Sequence, residues 1–165
     1  MTKTQKITPC LWFDTQAEEA AKFYTSIFDN SRIVNTVRYG KAGQEIHKMP
    51  PGTAMTVEFE LGGQTFTALN GGPLFKFNEA VSFQVMCDSQ KEVDLYWERL
   101  SQGGDKNAQQ CGWLKDRFGL SWQIVPSSLP KMLADPNPEK SQRVMTALLK
   151  MKKLDIDALK RAYAG

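Results

Sequence analysis

Apolar and polar positions alternate through "ITPCLWF", shift to a helical spacing in "AEEAAKFYTSIF", and return to alternation near "SRIVNTVRY", "AMTVEFEL" and "QTFTALN". The breaks "DNS", "PPG", "GG" and "NGGP" separate these runs, because such residues favour turns over continued helix or strand. The order then starts again. A strand "AVSFQVMC" leads into a helix "QKEVDLYWERLSQ" closed by Gly103 and Gly104, followed by "NAQQCGWLK" and "LSWQIVP". The turn "DRFG" between the last two has Asp116 and Gly119 at the first and fourth positions, as a type I turn prefers. The pattern predicts an α+β fold of two βαβββ modules, at about residues 6–72 and 80–127. These form a domain over 1–137, with a helical extension over 138–165.

The halves match in residues as well as in order. "FDTQAEEAAKF" lies over "CDSQKEVDLYW", with Asp14 on Asp88, Thr15 on Ser89, Gln16 on Gln90 and Glu18 on Glu92. Part of this likeness is shared capping chemistry, since an Asp, Thr or Ser oxygen before a helix accepts a bond from a first-turn amide. Capping does not account for the second pair, "GQTFTALN" over "GLSWQIVP", so the repeat reads as an internal duplication.

Side chains alternate across a strand, so each strand divides into two lists that the duplication aligns. One list is oily: Leu11 and Phe13, Phe66 and Ala68, Phe83, Val85 and Cys87, and Leu120, Trp122 and Ile124. It is the face expected under the two amphipathic helices. The other list is mixed: Thr8, Cys10 and Trp12, then Thr65, Thr67 and Leu69, then Ser82, Gln84 and Met86, then Ser121, Gln123 and Val125. Hydroxyls, amides, a Trp and a Met in place of Lys and Glu suit a concave site with apolar walls and a few polar groups. A plainly exposed sheet face is the other reading of the same list.

Paired βαβββ modules, each opening on a strand and an "A-x-x-F-Y"-like helix, resemble the vicinal oxygen chelate superfamily of glyoxalases, bleomycin-resistance proteins and extradiol dioxygenases. "PCLWFDTQAEEAAKFYTSIFDNSRI", "ALNGGPLFKFNEAVSFQV", "EVDLYWERLSQGG", "CGWLKDRFGLSWQIVP" and "LKMKKLDIDALKRAY" are similar to its PhnB-like branch, which carries the name demethylubiquinone methyltransferase domain. The resemblance places the ligand positions of metal-dependent members on Thr8, Thr67, Ser82 and Gln123. A one-residue slip would select Ala68 in place of Thr67. None is His, Glu or Asp, and neutral hydroxyl and amide oxygens are weak donors for a divalent transition metal. The expectation is therefore no metal and no cofactor. The methyltransferase name implies a methyl-donor site, yet no G-x-G segment occurs in the chain.

Composition narrows the chemistry further. The 165 residues, 41% of them apolar, suffice for one core, and a net charge of +3 is mild. No nucleic-acid or membrane partner is expected. "MTKTQKITPCLWFD" has neither the apolar run nor the cleavage site of a signal peptide, so the expected location is cytoplasmic. Cys10, Cys87 and Cys111 are odd in number and far apart, which fits reduced thiols. The one histidine, His47, falls in a loop-like segment and reads as solvated or locally bonded. With no carboxylate on the mixed strand list and no base beside a nucleophile, the catalytic residues are unknown.

Binding remains. The expected ligand-binding residues are Thr8, Cys10, Trp12, Thr67, Ser82, Gln84, Trp113 and Gln123, facing an unidentified small molecule. Mutual hydrogen bonding among these groups is the bland alternative. In the tail, "EKSQRVMTALLKMKK" and "IDALKRAYA" read as two helices, with Val144, Leu148 and Met151 on one stripe and Asp155 or Asp157 at the second start. That stripe needs a cover, from its own module or a second chain. The superfamily resemblance implies paired modules in a homodimer.

Overall fold

A computed structural model describes residues 5–165. The chain forms two compact units, the first ending at Lys76 and the second running from Phe77 to Gly165.

The first unit contains β1 (Cys10–Phe13), α1 (Ala17–Thr25), β2 (Arg32–Arg38), the short helix α2 (Gln44–His47), β3 (Ala54–Leu61) and β4 (Gln64–Asn70). Its sheet has the order β1-β4-β3-β2, with β1 parallel to β4 and the other pairs antiparallel. Helix α1 turns Ala17, Ala20, Ala21 and Tyr24 inward, and the alanines let it lie close over the oily residues Leu11, Phe13, Val57, Phe59, Phe66 and Ala68, all buried. Tyr24, Phe59 and Phe66 form a stacked run at centroid distances of 6.3 and 5.5 Å.

The second unit contains β5 (Ser82–Cys87), α3 (Gln90–Ser101), a 3-10 turn (Lys106–Ala108), β6 (Trp113–Lys115), β7 (Ser121–Pro126), α4 (Leu129–Leu133), α5 (Pro138–Leu148) and α6 (Ile156–Ala164). Its three-stranded sheet has the order β5-β7-β6. This module is therefore βαββ among the described residues, one strand fewer than the pattern predicts. Cys111 and Gly112 adopt left-handed backbone angles of 52° and 85°, which break an extended run before β6. The amides they leave unpaired in the sheet donate to the tail instead, Cys111 to the Met151 carbonyl at 2.8 Å and Gly112 to that of Lys152 at 2.7 Å.

The duplication holds at the level of register. Cys10 stands opposite Thr67 and Trp12 opposite Leu69, while at the aligned positions Gln84 stands opposite Gln123 and Met86 opposite Val125. The two helix starts have diverged. Ser89 accepts a bond from the Glu92 amide, a local cap of α3 at 3.2 Å, whereas α1 has no cap from its neighbouring side chains. Instead Asn70, at the end of β4, reaches over with its Oδ1 to take the Ala17 amide at 2.8 Å. Pro126 aligns with Asn70 in the second module and cannot do this.

The tail stripe is covered within its own unit. Val144, Leu148, Leu154 and Leu159 join Val125 and Leu129 in one buried cluster, with Met151 and Tyr163 against it. Gln90, the first residue of α3, clamps the connection between α5 and α6: its Nε2 donates to the Leu154 carbonyl at 3.1 Å and its Oε1 accepts the Ile156 amide at 2.9 Å. Asp155 caps α6 through the Ala158 amide.

Candidate functional site: the mixed face of each sheet

Strand alternation sends the oily list under the helices and leaves the mixed list on the opposite face, so the first sheet presents Cys10, Trp12 and Thr67 and the second Ser82, Gln84, Trp113 and Gln123. On the first sheet, one row crosses Cys10, Thr67 and Glu58, so β3 puts on the mixed face a carboxylate that the list read from sequence lacks. Thr67 is half-buried, while Ala68 lies in the core under α1, so the strand places Thr67 on the mixed face. Thr8 precedes β1 in a segment whose Pro9 carbonyl accepts the Thr67 amide. The Cys10 thiol is free, and partial burial pushes it above its ordinary value, away from a thiolate nucleophile. Cys87, on the helix side, is pushed up to about 12 by burial and by the nearby carboxylates of Glu92 and Asp88.

Trp12 is fixed by its neighbours. Its indole Nε1 donates to the Gly72 carbonyl at 2.9 Å, and Phe75 meets the ring edge-on at 4.9 Å. The chain after β4 thus folds back across one end of the mixed face. A Cβ on Gly71 would come within 2.2 Å of the indole, so that glycine is a packing requirement. Gly71→Ala is expected to cost about 1–3 kcal/mol by overpacking. A lowered thermal midpoint with a changed tryptophan emission spectrum would check it; an unchanged midpoint would mean the Trp12 contact is slack.

On the second sheet the corresponding row is Gln84, Gln123 and Trp113. The amides form a relay. Gln84 Nε2 donates to Gln123 Oε1 at 3.2 Å, and Gln123 Nε2 donates to Ser82 Oγ at 2.8 Å. This is the mutual bonding anticipated from sequence, but it leaves capacity: Gln84 keeps its oxygen, each amide keeps one N–H, and the Ser82 hydroxyl can still donate. Gln84 is exposed, and Gln123, Ser82 and Trp113 are half-buried. Val125, two residues along the same face from Gln123, is buried under the tail cluster. In each module, then, the segment leaving the last strand covers the same end of the mixed face.

The donor set does not fit a divalent metal. The four positions marked for ligands carry hydroxyls and an amide, and the Gln123 oxygen already accepts a bond from Gln84. Among the described residues, no three His, Cys, Asp or Glu side chains gather closely enough to hold an ion. His47 is locally bonded: Nδ1 accepts the Met49 amide at 3.0 Å, Nε2 lies 3.2 Å from the Ala42 carbonyl, and the ring packs on Tyr39. The Asp116 turn is structural, with its side chain buried and committed to Phe118, Leu120 and Trp122.

Two further residues of this face were not among the candidates read from sequence. Lys115 and Ser121 stand opposite each other, and Ser121 stands opposite Ser82, in the row beside the glutamines. The period-two pattern places both there, but a Lys in a short strand reads as solvated. The clamp by Gln90 was missed as well, its only signal being the alignment with Gln16.

The two modules, each with a βα unit returning to a parallel pairing of its first and last strands, place the chain in the class of duplicated α+β proteins. Within that class the chain belongs to the family described as 3-demethylubiquinone-9 3-methyltransferase, or PhnB-like, whose model matches residues 5–125. The PhnB protein of Bacillus cereus, whose description carries the same methyltransferase name, is 36% identical over 74% of this chain and 99% of its own, with a TM-score of 0.65. A protein from Pseudomonas aeruginosa is 19% identical over 74% and 98% of the two chains, with a TM-score of 0.58. The fosfomycin resistance protein FosX of Mesorhizobium loti is 17% identical over 79% and 99%, with a TM-score of 0.52. These last two likenesses are of fold. No curated protein matches. The family match stops at Val125, so the tail that buries the Val125 side chain lies outside it.

Proposed function

We propose that this chain is a small-molecule-binding protein that uses the mixed faces of its two sheets without a metal ion. The residues assigned to ligand contact are Cys10, Trp12 and Thr67 on the first sheet with Thr8 just before it, and Ser82, Gln84, Trp113 and Gln123 on the second. The Gln84–Gln123–Ser82 relay carries this reading, an oriented set of neutral amide and hydroxyl groups where a divalent metal would call for imidazole or carboxylate donors. Trp113, in register with Gln123, supplies an apolar ring beside the relay.

Gln123→Leu removes both bonds at the centre of this relay on a half-buried position, so folding should stay nearly intact while ligand binding weakens by about tenfold or more. Mass spectrometry of freshly purified protein under native conditions reads this as loss of a retained small molecule; a molecule still retained by the variant would remove Gln123 from the site. The family name supplies a second reading, methyl transfer. Titration with S-adenosylmethionine tests it, and saturable binding would favour it. The working assembly is a homodimer, supported by exposed apolar side chains such as Val81 and Met86 on and beside the second sheet, and light scattering of a monomer would contradict it. Among the described residues no helix is long and apolar enough to cross a membrane. Assignment to the cytoplasm and to no nucleic-acid partner rests on the mild charge and thiol usage of the sequence.

A further inference from the structure

The mixed face of the second sheet carries one feature that the neutral relay leaves unexplained. Ser121 is 1% exposed, and its hydroxyl is the one buried side-chain polar atom among the described residues without a hydrogen-bond partner. Buried hydroxyls are normally paired, because an orphaned one forfeits its bond to water with nothing in return. In sheet register Ser121 is flanked by Ser82 on β5 and Lys115 on β6. Ser82 Oγ takes its bond from Gln123 and so retains a proton to give. The Lys115 side chain, 23% exposed, has its ammonium held by the carboxylate of Glu79, whose side chain is 63% exposed in the segment before β5. Three donors, two hydroxyls and one ammonium, thus lie in one row next to Gln84 and Gln123, and the negative charge that meets Lys115 comes from a solvent-facing side chain.

We propose that Ser82, Ser121 and Lys115 form a subsite for the anionic oxygens of a ligand, a carboxylate or a phosphate, and that Glu79 occupies Lys115 until such a ligand displaces it. The subsite rests on the reading that this face binds a small molecule, and adds its chemical class: an organic anion whose uncharged part lies along the glutamine row and Trp113. An ion pair with one strongly exposed partner is a weak contact, which suits a displaceable stand-in. A ligand oxyanion can take the ammonium and both hydroxyl protons in charge-assisted bonds, satisfying the Ser121 group that Glu79 leaves unpaired.

The test uses the full chain and two simple probes, benzoate and inorganic phosphate, titrated while the Trp113 indole and Ser121 amide signals are followed by NMR. Glu79→Gln removes the internal competitor and should tighten one of the probes at least about fivefold; which one responds assigns the ligand as carboxylate or phosphate. Lys115→Met should abolish that binding in both backgrounds, Lys115→Arg should restore part of it, and Ser121→Ala should weaken it without lowering the thermal midpoint. Failure of both probes to bind Glu79→Gln protein, equal binding to wild type and Glu79→Gln, or undiminished binding to a folded Lys115→Met variant would overturn the subsite. Retention of a native molecule that still depends on Gln123 would, in that event, leave the broader binding reading standing. Anion binding combined with indifference to Gln123→Leu would instead retain the subsite and remove the relay.

Discussion

Asp116→Ala is expected to lower stability by about 3–5 kcal/mol. The side chain is 2% exposed and serves three donors at once. Its Oδ1 takes the amides of Phe118 and Leu120 at 2.8 and 3.1 Å, and its Oδ2 takes the Trp122 indole N–H at 2.9 Å. Alanine would strand all three, two of them on backbone that must turn between β6 and β7. Asp116→Asn should cost less, since one oxygen survives for the two amides while the indole faces an NH2 group. Chemical denaturation with the two variants side by side checks the ordering; equal losses would show that the two amide bonds contribute nothing beyond the indole bond. Because Trp122 lies beside Ser121 and Gln123 in β7, a loosened turn should also blur the mixed face, and native ligand retention should fall with stability.

The second large effect is expected at Asn70, where alanine should cost about 2–4 kcal/mol. Asn70 is 1% exposed and joins three parts of the first unit. Its Oδ1 caps α1 through Ala17, its Nδ2 donates to the Ala54 carbonyl at the start of β3 at 2.9 Å, and its own carbonyl accepts the Tyr39 hydroxyl at 2.6 Å. Alanine keeps the last bond and removes the first two. The helix then begins without a side-chain cap, because Gln16 supplies none. Hydrogen exchange should accelerate first at the amide of Ala17 and through α1. Uniform acceleration across the unit, with no excess in α1, would mean that the contact to Ala54 dominates.

Much of this architecture was legible because duplication fixes more than periodicity does. Aligning "FDTQ" with "CDSQ" sets Cys10 on Gln84, aligning "GQTFTALN" with "GLSWQIVP" sets Thr67 on Gln123, and the parallel registers Cys10–Thr67 and Gln84–Gln123 agree. Alternation likewise separated Leu11, Phe66, Trp122 and Ile124, now core, from Cys10, Gln84 and Gln123. What sequence could not convey were bonds made over long separations. Asn70 sits in "ALNGGP", where its local chemistry reads as a turn, yet its work is the cap of a helix 53 residues earlier. The fourth strand of the second module failed for a related reason. Left-handed angles at Cys111 and Gly112 are rewarded by carbonyls from Met151 and Lys152, residues that no local window includes. The tail stripe left two covers open, and the burial of Val125 together with Val144 and Leu148 decides for its own unit.

The oriented groups at the centre of the second sheet's mixed face are neutral amides and hydroxyls, suited to holding an organic molecule and unsuited to a dication. Native mass spectrometry of protein purified without chelators or a metal-affinity tag, comparing wild type with Gln123→Leu, tests this most directly. The predicted result is a retained organic molecule, no metal adduct, and loss of that molecule from the variant. A zinc, nickel, iron or manganese ion held by Thr67, Ser82 or Gln123 would contradict it.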